Sequence, residues 1–173
     1  DVSDLRVLPS AVGRHLLKTH DYAAGFHVGF SAVDAEVVAI RFYEEPGIQL
    51  TTELQKEVEK HFNRGELRRA AGDGVGNVDY PVRAREIYAE ELLETLDQDA
   101  IRERDFRIVV DYGYSAGSLV LPLVLGPLGV EVVAAHAFSP NEDIGARANL
   151  RSLIGQTKKL VNAVGANFGV VFD

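Results

Sequence analysis

The chain has no cysteine, no methionine and no tryptophan. Without thiols there are no disulfides, no thiolate metal sites and no thiol nucleophile. A chain that lacks Met and opens Asp1-Val2-Ser3-Asp4 reads as a slice or processed piece of a longer product, and that acidic start is unlike a signal or transit peptide. No run of about 18 apolar residues is present, so no transmembrane helix is expected. Positive charge is also in short supply: 18 Lys plus Arg face 26 Asp plus Glu, for a net charge of −8. Such a balance offers no field to draw the chain to nucleic acid or anionic lipid, so neither nucleic acid nor membrane is expected as a partner. The expected location is the cytoplasm. What remains, 46% apolar and 25% charged residues over 173 positions, is ordinary globular composition. At roughly 150 residues per domain it allows one domain, or two small or incomplete ones.

Apolar periodicity alternates between short strands and amphipathic helices. Leu5 to Leu8 reads as a short strand, and Pro9 precedes a helix carrying Val12, Leu16 and Leu17. Gly25 to Phe30 and Glu36 to Tyr43 read as strands, the second rich in β-branched and aromatic residues, with a turn at Glu45-Pro46-Gly47. Thr51-Thr52-Glu53 opens a helix with Leu54, Val58, His61 and Phe62 on one side. Gly72 to Gly76 is the most flexible-looking stretch, and a domain boundary is expected between Gly72 and Tyr80. From Pro81 a helical pattern carries Ile87, Tyr88, Leu92, Leu93 and Leu96. Phe106 to Asp111 is a buried strand ending in a carboxylate, followed by the loop Tyr112 to Ser118 and an apolar helix to about Leu128. Leu119 to Leu128 fits either core or an interface. Gly129 to Ala135 is a strand, Ala146 to Val164 a helix, and Phe168 to Phe172 a last strand closing on Asp173. This order is that of βαβ crossovers in a parallel sheet, so the fold class is α/β.

Three places could carry chemistry. The loop after Asp111 has the small and hydroxyl residues found where backbone N–H groups meet an anion, although it is neither G-x-G-x-x-G nor a Walker loop. Composition alone favours a tight strand-to-helix turn capped by Ser115 or Ser118. Asp173 stands at the carboxyl end of an expected parallel strand, the edge where open α/β sheets place ligands and metal-binding carboxylates, and also a common place for a turn former. Ser31 follows a strand with His27 on the same face, but about 13 Å away at 3.3 Å per residue, too far for a nucleophile–base pair. No two of His15, His20, His27, His61 and His136 have the spacing of a metal motif, so each reads as a surface or core residue. Arg68-Arg69 and Arg83-Ala84-Arg85 could meet phosphate or simply be solvated helix faces.

Taken together, these segments resemble the α-D-phosphohexomutase superfamily, which includes phosphomannomutase and phosphoglucomutase. Ile108-Val109-Val110-Asp111-Tyr112-Gly113-Tyr114-Ser115-Ala116-Gly117-Ser118 is similar to the V-V-V-D-x-x-N-G-A-G-S segment that opens the family's second domain. Gly165-Ala166-Asn167-Phe168-Gly169-Val170-Val171-Phe172-Asp173 resembles its G-A-D-L-G-I-A-F-D, which in the family runs on into G-D-A-D-R. Gly25 to Asp34 lies over G-I-M-I-T-A-S-H-N-P, and Ala39-Ile40-Arg41-Phe42 over G-I-K-F. Thr, His, Asn and Pro of the former motif are replaced here by Gly29, Ala32, Val33 and Asp34.

The resemblance implies two mixed or parallel-sheet α/β domains of phosphohexomutase type, both incomplete: residues 1–74 the latter part of the first, residues 75–173 the second. It implies a phosphomannomutase- or phosphoglucomutase-like phosphotransferase acting on a hexose phosphate, with Ser31 as the phosphorylated serine, Asp173 as the first of three magnesium-binding aspartates and Arg41 beside the phosphoserine. The fragment alone would then be inactive, since two metal aspartates and the later domains are missing from it. The altered residues around Ser31 also resemble proteins in which a phosphomannomutase-like region is fused to a sugar-1-phosphate nucleotidyltransferase of the mannose-1-phosphate guanylyltransferase kind. That resemblance implies a non-catalytic scaffold or regulatory role instead.

Overall fold

A computed structural model describes residues 1–30, 37–65, 69–138 and 150–172. The chain is α/β, as expected, and divides into two units: one built from Asp1–Arg6, Ser10–Gly29 and Ala39–Ala84, the other carried by Arg85–Asp173.

In the first unit, β1 (Val2–Ser3) pairs in parallel with β5 (Val78–Asp79). The strand expected over Leu5 to Leu8 does not form. Asp4 Oδ1 accepts the Arg6 N–H at 2.8 Å and Arg6 takes a left-handed φ of 57°, so this side chain-to-backbone turn competes with extended structure. After Pro9, α1 (Ser10–Thr19) buries Val12, Leu16 and Leu17. The sheet beside it has the order β2 (Ala24–Phe30), β3 (Val38–Glu44), β4 (Ile48–Gln49). Gly25 faces Leu17, and the Arg14 Nε–H donates to the Gly47 carbonyl at 2.8 Å with its guanidinium 5.6 Å from the Tyr43 ring centre. Period-two alternation therefore places Gly25, His27 and Gly29 of β2, and Ala39, Arg41 and Tyr43 of β3, on the side of α1. Phe26, Val28, Val38 and Ile40 take the opposite side and are exposed. The expected helix after Thr51 is α2 (Thr52–Arg64), with the Thr51 side chain accepting from the Leu54 N–H and Gly65 closing it in the left-handed region at φ 65°. None of its residues is buried, and Phe62 is 77% exposed. Gly72–Gly74 forms a single 3₁₀ turn.

The second unit begins with α3 (Ala84–Glu94) and α4 (Gln98–Arg102). The helical pattern from Pro81 starts later than expected because Arg83 adopts a left-handed φ of 64°, which no α-helix accommodates. Next comes β6 (Arg107–Asp111), the centre of an all-parallel sheet of order β7 (Glu131–Ala135), β6, β8 (Phe168–Val171). A central strand flanked on both edges and covered by helices has to be apolar throughout, which is why Ile108, Val109 and Val110 are buried. The apolar stretch to Leu128 is not one helix. It is a 3₁₀ turn, Ala116–Leu119, then α5 (Leu121–Leu125) with Pro122 in its first turn, where the missing N–H costs least. Val124 and Leu128 pack with Ala89, while Ile108, Val110 and Tyr112 form a second cluster with Leu121, Leu125 and Phe172. The last helix, α6 (Leu150–Val164), buries Leu153 and Thr157. It approaches β8 so closely that a Cβ on Gly169 would lie 2.6 Å from the Thr157 methyl and 2.9 Å from a Val161 methyl.

Candidate functional site

The parallel register pairs Asp111 with Ala135 on β7 and with Val171 on β8, so the residues just past three strand ends share one edge. Such a carboxyl edge is where open α/β sheets gather functional groups. Asp111 is its centre. It is fully buried, a costly position for a carboxylate unless donors surround it. Three do. The Gly113 N–H donates to Oδ1 at 3.0 Å, the Thr157 hydroxyl to Oδ2 at 3.3 Å, and His136 Nδ1 lies 3.0 Å from both oxygens. A carboxylate only accepts, so Nδ1 carries the imidazole proton and His136 is fixed in one tautomer. Its side chain is 29% exposed. The backbone of Asp111 adds a fourth tie, its carbonyl accepting the Phe172 N–H at 2.8 Å.

The loop that follows is locked by its own hydrogen bonds. Tyr114 donates its N–H to the His136 carbonyl at 2.8 Å, Ser115 to Tyr112 at 2.8 Å and Ser118 to Ser115 at 3.3 Å. With Gly113 spent on Asp111, these four N–H groups are turned inward, as in a tight strand-to-helix turn. Neither serine caps it as expected: Ser115 stands at the N-cap position without a side-chain hydrogen bond, its Oγ buried and unpartnered, and Ser118 Oγ donates back to the Ser115 carbonyl. Gly113 needs to be glycine here. It has φ 53°, and a Cβ would sit 2.6 Å from the Phe172 carbonyl oxygen. Tyr112 stacks on Phe172 with ring centres 5.9 Å apart, and burial raises its phenol pKa above the ordinary value, so it stays neutral.

Of the residues singled out from sequence, Ser31 and Asp173 lie outside the described residues. Arg41 is half-buried on β3 in the first unit. Sequence reasoning set His136 aside as a surface or core residue and did not single out Thr157. One signal was available for His136: it follows β7 by one position, as Asp111 ends β6, and neighbouring parallel strands bring such residues together.

For the magnesium that the resemblance implies, the described residues do not supply a site. No group of three or more His, Cys, Asp or Glu side chains among them could hold a metal ion. Asp111, the one buried carboxylate at the edge among the described residues, already accepts from three donors. Among the described residues, no helix is long and apolar enough to cross a membrane.

Residues 86–173 match the family described as phosphoglucomutase/phosphomannomutase, alpha/beta/alpha domain II. Over its full length the chain is 27% identical to a phosphoglucosamine mutase of Thermoanaerobacter pseudethanolicus and 30% identical to one from Alkaliphilus oremlandii. It is 29% identical to a phosphoglucomutase/phosphomannomutase of Thermococcus kodakarensis. In each case it spans 38% of the relative's length.

Proposed function

The chain belongs to the phosphoglucomutase/phosphomannomutase family, in the α-D-phosphohexomutase superfamily, and from that premise we propose that the protein containing it transfers a phosphoryl group between the C1 and C6 oxygens of a hexose phosphate. One observation carries the reading: the similarity to phosphohexomutases runs over 100% of the chain, so it includes the segment of Ser31 as well as the domain matched by residues 86–173. In this reading Ser31 carries the phosphate. A sugar hydroxyl oxygen bonds to its phosphorus as the bond to the serine oxygen breaks, and the reverse step at the other end of the sugar restores the phosphoserine. Arg41 offers a cation to the phosphate. Asp173 is a magnesium ligand whose partners belong to the family's next residues, and residues 1–173 alone have no turnover.

A second reading rests on the substitutions around Ser31. Where the family has Thr, His, Asn and Pro, this chain has Gly29, Ala32, Val33 and Asp34, which removes most polar groups that would attend a transferring phosphoryl group. On that reading the region is a scaffold or regulatory domain attached to a sugar-1-phosphate nucleotidyltransferase. The two are separated by ³¹P NMR of the full-length protein with magnesium, a trace of hexose 1,6-bisphosphate, and mannose, glucose or glucosamine 1-phosphate in turn. Conversion of any one to its 6-phosphate supports the mutase; no conversion of all three overturns it.

A further inference from the structure

His136 has a chemical position that the mutase reading leaves unused. Its Nδ1 proton is committed to a fully buried carboxylate, so the ring nitrogen left for a further contact is Nε2, a lone-pair acceptor when the imidazole is neutral. The ring is partly open to solvent, at 29% exposure, on the carboxyl edge of the parallel sheet.

The backbone around it is strained. His136 and Tyr114 both adopt left-handed conformations, φ 47° and 60°, that non-glycine residues seldom hold. They hold them against each other: the Tyr114 N–H bonds to the His136 carbonyl, and the rings meet edge to face with centres 5.2 Å apart. Tyr114 is 40% exposed. An imidazole oriented by a carboxylate and flanked by an accessible phenol ring is thus fixed at the sheet edge by two costly backbone turns. Neither residue belongs to the apolar clusters of the second unit.

We infer that His136 is a ligand-contacting residue whose Nε2 accepts a hydrogen bond from a hydroxyl of a polyhydroxylated substrate, with Tyr114 as the neighbouring wall. An acceptor nitrogen pairs with a hydroxyl proton and not with an ionised phosphate oxygen, so this contact reads hydroxyls. This rests on the mutase reading for its substrate class, a hexose phosphate. Asp111 and Thr157 act through His136 and are positioning residues.

The test uses the full-length protein, ¹⁵N-labelled at histidine, with the His136 ring signals assigned by their loss in His136→Phe. Long-range ¹H–¹⁵N spectra, taken at a pH where the ring is neutral, should show Nδ1 protonated and Nε2 unprotonated in the free protein. Saturating glucose 6-phosphate should move Nε2, and inorganic phosphate at equal concentration should not. By calorimetry, His136→Phe should bind glucose 6-phosphate about tenfold more weakly, the worth of one hydrogen bond, while an unaltered melting temperature separates this from unfolding. Should that variant not fold, the wild-type Nε2 response decides. Binding of glucose 6-phosphate with Nε2 unmoved would overturn the inference and leave the mutase reading standing, and a response to inorganic phosphate alone would overturn the hydroxyl assignment. Absence of any hexose phosphate binding would overturn the mutase reading, and the inference with it.

Discussion

Replacing Asp111 by alanine removes the acceptor on which three donors converge. The Thr157 hydroxyl, on a residue only 4% exposed, and the Gly113 N–H beneath the turn would both lose their partner. A buried donor left unsatisfied costs about 1–3 kcal/mol, and the charge-assisted bonds to a carboxylate lie at the stronger end. His136, 29% exposed, can turn toward water and adds less. The total is about 3–5 kcal/mol for Asp111→Ala. Asp111→Asn keeps the shape and one acceptor oxygen but presents an amide NH₂ to other donors, and should cost about 1–3 kcal/mol. Because the chain has two units, a single unfolding midpoint would mix them, so the assay is native-state hydrogen exchange at the Ile108, Val109 and Val110 amides. At tenfold per 1.4 kcal/mol, Asp111→Ala should speed their exchange by about a hundred- to a few thousandfold, with Asp111→Asn between it and the wild type. Exchange of both variants within about threefold of wild type would refute the reasoning, since it would mean that the network contributes nothing to holding the sheet edge.

Tyr112 gives a prediction in pH. Burial raises its pKa above 10.0 in the folded chain, so the neutral phenol is favoured there, and the stability it contributes is complete below the unfolded value near 10 and lost as pH climbs through the folded value. Urea denaturation of the second unit should therefore show a decline above about pH 10 that Tyr112→Phe reduces; equal decline in both proteins would contradict it. Gly47 sits at φ 88° in the β3–β4 turn, and a Cβ there would fall on the Arg14 carbonyl oxygen. Gly47→Ala should destabilise the first unit by about 1–3 kcal/mol, read as faster exchange of the β3 amides, and an unchanged rate would refute the assignment. Gly169→Val would drive a side chain into Thr157 and Val161 and should cost about 1–3 kcal/mol through displacement of α6 from β8, again read by exchange at Val109 and Val170.

The strands of the second unit were legible because their signal is local. Ile108-Val109-Val110 is an unbroken apolar run that a doubly covered parallel strand requires, and Phe168 to Val171 repeats it. At two of the places where reading failed, a single backbone turn was responsible. Arg6, held by Asp4, ended the strand expected from Leu5, and Arg83 delayed the helix expected from Pro81. Amphipathic spacing located α2 correctly, yet periodicity names a face without naming its cover, and Leu54 and Phe62 stay exposed. For the site, Asp111 was visible as a carboxylate closing an apolar strand. His136 and Thr157 were not, because 25 and 46 residues separate them from Asp111 and only the register of β6 with β7 and the packing of α6 bring them in.

The central claim is that this chain comes from a protein that carries a phosphoryl group on Ser31. It is tested most directly by incubating the full-length protein with magnesium and hexose 1,6-bisphosphate labelled with ³²P, then locating the label by peptide mapping. The account predicts label on the peptide containing Ser31, absent in Ser31→Ala. A protein that stays unlabelled while hexose phosphates remain unconverted would contradict it.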